Sequence, residues 1–235
     1  MIAYATHTGT HRNLAALCAA GWSLLYAPPF RRRLDPRFPY GLDNGAWSAF
    51  ASAGRHLFPG EPLTVIMLNT TMREATSAFA RVCWSAPAFE RHVADFGASA
   101  EFIVVPDIVA GGAESLSLTR AWLPRLEGIG RRRLVAVQDG MTDTEIAPLL
   151  SPEVGVFVGG TTEWKIATMR AWGRLARRHG AYLHIGRVNS ARRIRYCADA
   201  GADSFDGTSV TRFAVTLPLL DNTRRQGHMF GGLDA

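Results

Sequence analysis

Lysine is almost missing from this chain: Lys165 is the only one among 26 basic residues in 235. The formal net charge is still +6, so arginine carries the positive charge. A planar arginine fork matches phosphate better than a lysine point charge does. Cysteine is scarce as well. Cys18, Cys83 and Cys197 are scattered and form no Cys-x-x-Cys pair. That excludes a zinc ribbon or a disulfide framework as the organising device. Cys18 and Cys197 fall in apolar, helix-like patterns and are expected to be buried thiols. No apolar run reaches the roughly 20 residues of a membrane span. The first ten residues show neither a basic region nor an apolar core of a signal peptide, so the expected location is cytoplasmic. Internal repeats and low-complexity segments are also missing. With 47% hydrophobic residues, the chain reads as a single domain over 1–235 with one sizeable core.

What is present is alternation. Apolar runs of strand length alternate with amphipathic stretches, the βα signature of a parallel sheet. Strands are expected at Ile2–Thr6, Ser23–Ala27, up to Asp43, Phe102–Pro106, Leu134–Val137, Val156–Val158, Tyr182–Ile185 and Ser204–Phe205. Helices are expected over 13–20, 46–53, 72–82, 89–96, 116–126, 142–149, 163–179 and 190–199, and in the tail 213–235 before a Gly-rich end. Thr142 and Thr162 are expected helix caps. Leu63–Leu68 reads equally as strand or helix. The pattern predicts a minimal (β/α)8 TIM barrel, a fold that typically takes about 250 residues.

Polar residues close five of the apolar runs: Asp43, Asp107, Gln138, Gly159-Gly160 and Asp206. In a parallel barrel the carboxyl ends of the strands face one shared mouth, where chemistry is done. Two carboxylates there can divide glycosidic chemistry, one attacking the anomeric carbon and the other moving protons. Asp43 and Asp206 fit that pair. Asp107 and Gln138 could read a guanine edge, the acid accepting from N1–H and the 2-amino group, the amide donating to O6. Gly159-Gly160 reads either as a source of backbone donors or as a tight turn. Trp47 reads either as core or as a stacking platform. His7, His11, His184 and His228 lack metal-ligand spacing, and surface or satisfied core roles are expected for them. No metal and no cofactor are expected. The arginine clusters at 31–33, 131–133, 177–178, 192–195 and 224–225 favour, taken together, a nucleic-acid partner.

This constellation resembles the tRNA-guanine transglycosylases and their 7-deazaguanine DNA-transglycosylase relatives. Phe205-Asp206…Thr211-Arg212 matches the family's Phe-Asp-x4-Thr-Arg, and Asp43-Asn44-Gly45-Ala46-Trp47 is similar to its Asp-Ser-Gly-Gly-Phe. Val137-Gln138-Asp139 and Val158-Gly159-Gly160 resemble Val-Gln-Gly and Ile-Gly-Gly. Tyr182-Leu183-His184-Ile185-Gly186 resembles Tyr-Leu-Met-Gly with one insertion. The resemblance implies a barrel that exchanges a base, with Asp206 as nucleophile and Asp43 as acid and base. It implies Asp107, Gln138, Gly159, Gly160, Asn44 and Ile185 around the purine, Trp47 stacked on it, and Arg212 on a phosphate. No cysteine follows Cys197, so the family's zinc subdomain is missing. That points to the short DNA-modifying branch, including its compact phage members. The expected reaction replaces guanine in DNA with a 7-deazaguanine such as a preQ0-type base. The alternatives are the same exchange on tRNA, or a non-catalytic barrel that binds nucleic acid in a modification complex.

Overall fold

The computed structural model describes residues 1–6, 10–30 and 33–226. Eight parallel strands close into a barrel in sequence order: β1 (Ile2–Thr6), β2 (Ser23–Tyr26), β3 (Tyr40–Leu42), β4 (Phe102–Val104), β5 (Arg133–Val137), β6 (Val154–Val158), β7 (Leu183–Ile185) and β8 (Ser204–Gly207). Closure is made by β1 against β8, with Tyr4 in register with Asp206. The chain is therefore a (β/α)8 TIM barrel.

The helices that alternate with the strands are α1 (His11–Ala19), α2 (Ala46–Leu57), α3 (Leu63–Leu68), α4 (Thr70–Cys83), α5 (Ala86–Phe96), α6 (Gly112–Trp122), α7 (Asp143–Ile146), α8 (Thr162–Arg178), α9 (Ala191–Asp199), α10 (Ser209–Arg212) and α11 (Leu217–Gln226). The ambiguous segment Leu63–Leu68 is helical, and only Ile66 and Met67 are buried in it. It covers a small separate core with Phe50, Ala53 and Ala80, which a strand of the barrel would not reach. The long connection from β3 to β4 thus holds four helices. Thr142 forms a capping box with Glu145. The cap of α8 is Thr161 rather than Thr162, its side chain accepting from the Trp164 N–H.

Side-chain alternation splits the sheet into two faces. Ala3, Ala5, Leu24, Leu42, Ile103, Val135, Val137, Val156, Leu183, Ile185 and Phe205 join the helix layer in one large core. Tyr4, Leu25, Phe102, Val104, Leu134 and Ala136 fill the barrel interior. Space inside is tight. A Cβ on Gly41 would lie 2.5 Å from the Phe102 ring, so the glycine makes room for the aromatic. Cys197 is fully buried, whereas Cys18 is only partly so. Outside the barrel, α11 is tied to the turn between α1 and β2. Asp221 accepts from Trp22 Nε1 at 2.9 Å and pairs with Arg224 and Arg225. No helix among the described residues is long and apolar enough to cross a membrane.

Candidate active site at the barrel mouth

Parity along each strand decides which residues reach the mouth. Leu42 faces the helices, so Asp43, the next residue, points inward. On β7 and β8 the inward set is Tyr182, His184, Gly186, Ser204 and Asp206. Asp206 is 5% exposed, so a reacting atom must be delivered into the mouth to touch it. Its carboxylate is held from two sides. His184 Nε2 lies 3.0 Å from Oδ2, and the Arg187 backbone N–H donates to Oδ1 at 3.2 Å. A carboxylate only accepts, so His184 donates through Nε2, and in the neutral ring Nδ1 then accepts from Ser204 Oγ at 2.7 Å. The imidazole is buried and stacked on Phe157, with centroids 4.9 Å apart at 16°. Below it, the Tyr182 hydroxyl lies within hydrogen-bonding influence of Ser204 and Tyr4. A polar column therefore runs down the barrel interior from Asp206.

Asp43 and Asp107 complete the acidic cluster. Burial pushes the Asp43 carboxyl up to about 6, with further upward contributions from the charges on Asp206 and Asp107. The Gly45 N–H donates to Asp43 Oδ1 at 3.1 Å and opposes that shift. Burial likewise raises Asp107 to about 6, against an Asn44 hydrogen bond and the Arg187 charge. Asn44 is the local brace. Its Nδ2 donates to Asp107 Oδ1 at 2.7 Å and to the Val105 carbonyl at 2.8 Å, while Oδ1 accepts from the Ala46 N–H.

Three expected roles change, those of Gln138, Ile185 and Gly159, and a fourth residue, Trp47, is covered. Gln138 is 3% exposed, and its amide is fully engaged. Nε2 donates to the Ile108 carbonyl, Ser115 Oγ and Asp107 Oδ2 at 2.8, 2.9 and 3.3 Å, and Oε1 accepts from the Ala110 N–H at 2.5 Å. It holds Asp107 and the β4–α6 loop in place, with no donor left for a base. Ile185 is 0% exposed and packs outward into the helix layer, so it cannot line the mouth. The inward neighbours His184 and Gly186 take that place. The Gly159 N–H donates to the Val137 carbonyl at 2.8 Å and belongs to the barrel ladder. Trp47 faces the mouth but is not bare. The Arg187 guanidinium lies over its ring at 4.0 Å, and Phe50 stacks at 5.6 Å.

Arg187 is the main group that sequence reasoning missed. Its backbone has φ +58°, a left-handed conformation costly for a residue with a Cβ. The side chain crosses the mouth, donates to the Gly160 carbonyl and faces the charges of Asp206, Asp107 and Asp139. Gly160 is a glycine for a physical reason. It has φ +72°, and a Cβ there would come within 2.5 Å of Asp139 Oδ2 and 2.7 Å of the Trp164 ring. Lys165 is the second surprise. It is buried, and its ammonium donates to the Gly186 carbonyl. Burial, helped by the Arg187 charge, lowers it to about 7.

Arg212 is exposed at the end of α10. Arg31 and Arg32 lie outside the described residues, as do His7 and His228, and Arg33 is exposed. Among the described residues, no group of three or more His, Cys, Asp or Glu side chains is placed to hold a metal.

No family model matches the chain, and no curated protein matches it. Among solved structures, it is similar to tryptophan synthase from M. tuberculosis in its aminoacrylate- and BRD0059-bound form. That likeness has 14% sequence identity and a TM-score of 0.48, over 97% of this chain and 90% of the other. It says nothing of the chemistry at the mouth.

Proposed function

We propose that this barrel exchanges guanine in DNA for a 7-deazaguanine through a covalent glycosyl-enzyme on Asp206. The observation that carries the reading is the pair of differently treated carboxyls at one mouth. Asp206 is gripped by two donors, whereas burial lifts Asp43 to about 6, where a carboxyl both gives and takes protons near neutrality. Base exchange needs that division. The target nucleotide must leave the stack, since C1′ cannot otherwise reach a carboxylate that is 5% exposed. Asp206 attacks C1′ as the bond to guanine N9 breaks, and protonated Asp43 supplies the proton that the departing base needs. The incoming deazaguanine gives its N9 proton back to Asp43 and attacks C1′, releasing Asp206. Two inversions retain configuration. Asp107, braced by Asn44 and Gln138, is the acceptor for the N1–H and 2-amino edge. Stacking of the base on Trp47 requires the Arg187 guanidinium to move off the ring.

The test is incorporation of labelled guanine by the purified protein into DNA and, in parallel, into tRNA. Label in DNA, together with a denaturation-resistant protein–DNA adduct that Asp206→Asn cannot form, is the expected result. Label in tRNA alone would move the reaction to the other nucleic acid. Label in neither, with no adduct, would leave a binding barrel and end the exchange reading.

A further inference from the structure

Lys165, Arg187 and Arg193 line one cleft, and none of the three is in an ion pair among the described residues. The cleft is open to solvent and holds about 230 Å³. It adjoins the acidic mouth, because the Arg187 N–H touches Asp206. Its lining joins the apolar Trp47, Met67 and Leu68 to these three cations. Like charges bear on one another there: Arg187 and Arg193 both disfavour the charge on Lys165. Cations crowded in this way repel one another, and a bound anion would relieve that repulsion.

The neutral donors agree. Asn189 Oδ1 accepts from the Thr208 and Ser209 N–H groups at 2.7 and 3.0 Å. That fixes the orientation of its amide and turns Nδ2 away from them, as a further donor on the cleft wall. Lys165 uses one donor on the Gly186 carbonyl and keeps two. The acids nearby offset only part of the positive charge: Asp206, Asp107 and Asp139 favour the charge on Arg187 and Asp206 that on Lys165, but no carboxylate pairs with Arg193 among the described residues. Glu163 is exposed, and Asp139 is engaged by Thr161 at 2.6 and 2.7 Å.

We propose that this cleft binds a nucleic-acid phosphodiester, the one next to the nucleotide whose sugar reaches Asp206. The assignment rests on the base-exchange reading for its register, and on the cleft alone for its chemistry. Two arginine forks with ammonium and amide donors suit a phosphate. The apolar lining from Met67 and Leu68 suits the neighbouring base, and the opening to solvent lets a strand pass through.

The experiment scans single methylphosphonates, which each remove one charge, along a short single-stranded oligodeoxynucleotide around its guanine. Affinity is measured with the wild type and with Arg193→Gln. In the wild type, one position is expected to lose about ten-fold in affinity, the scale of one charge-assisted contact. Arg193→Gln should bind the unmodified strand about ten-fold more weakly, show no further loss at that position, and have a salt slope shallower by about 0.7. The methylphosphonate leaves the protein untouched, so a folding defect cannot imitate the result. A flat scan, or a sensitive position that Arg193→Gln leaves unchanged, would overturn the assignment. So would inorganic phosphate that binds through Arg193 without competing with the strand, because the cleft would then take a free anion. The glycosyl adduct is read separately in the same samples. An adduct without phosphate coupling refutes the cleft alone. Coupling without an adduct supports the cleft and refutes the exchange chemistry.

Discussion

Replacing Asp43 by asparagine should make the protein more stable at neutral pH while abolishing exchange. The carboxyl is raised from an ordinary 3.8 to about 6 in the folded chain. The folded state therefore holds the proton more tightly than the unfolded state between those values. Stability contributed by this group is present below about pH 4, is lost as pH rises to about 6, and is absent at neutrality. Each tenfold gain in proton affinity corresponds to about 1.4 kcal/mol, giving an upper bound of about 3 kcal/mol. Asp43 is only part-buried, so solvent screening reduces this to about 1–2 kcal/mol. An asparagine oxygen can still accept from the Gly45 N–H, so little else should change. For a chain of this size the gain is about 2–4 °C in Tm. Thermal melts of wild type and variant at about pH 7.5 and about pH 4 check it. The difference should be present at the higher pH and nearly vanish at the lower. A variant that melts lower than wild type at both pH values would show that the carboxylate is not strained where it stands, and the acid–base assignment would lose its physical basis.

Gln138→Ala should cost about 2–4 kcal/mol in urea melts, since it leaves the Ala110 N–H and Asp107 Oδ2 without a buried partner; a drop in base affinity with no loss of stability would restore it as a purine reader. Ile185→Val should lower stability by about 1 kcal/mol and leave KM for the base unchanged, because the side chain packs against helices; a changed KM would place it in the mouth after all. Gly173→Ala would normally favour a helix by about 1 kcal/mol. Here a Cβ would sit 2.0 Å from the Ala200 carbonyl, so a loss of about 2 kcal/mol or more is expected, and a raised Tm would disprove that close approach.

The barrel is legible in the sequence because apolar runs and helical stripes alternate without interruption, and because Asp43, Asp107 and Asp206 each follow such a run. Parity is the harder signal. Tyr182, His184 and Gly186 occupy one face of β7, while Leu183 and Ile185 occupy the other. The polar–apolar alternation of those five residues carries the signal for His184 and against Ile185. Lys165 has a signal too. It lies on the stripe with Met169, Trp172 and Ala176, the buried face of α8, where a solvated lysine does not belong. Arg187 has none. Its position depends on a left-handed backbone that no glycine announces. Gln138 misleads because a strand-end amide looks the same whether it faces a substrate or braces a loop.

The order of the strands has a consequence for the making of this protein. Asp43 and Asp107 arrive early in synthesis, but Asp206 lies on the strand that closes the barrel against β1. Until that strand docks, β1 and β7 both present bare edges, and His184 has no carboxylate to hold. The proposed nucleophile comes into being at the same instant as the closed ring. A nascent or partly opened chain therefore lacks the His184–Asp206 contact on which the proposed site depends.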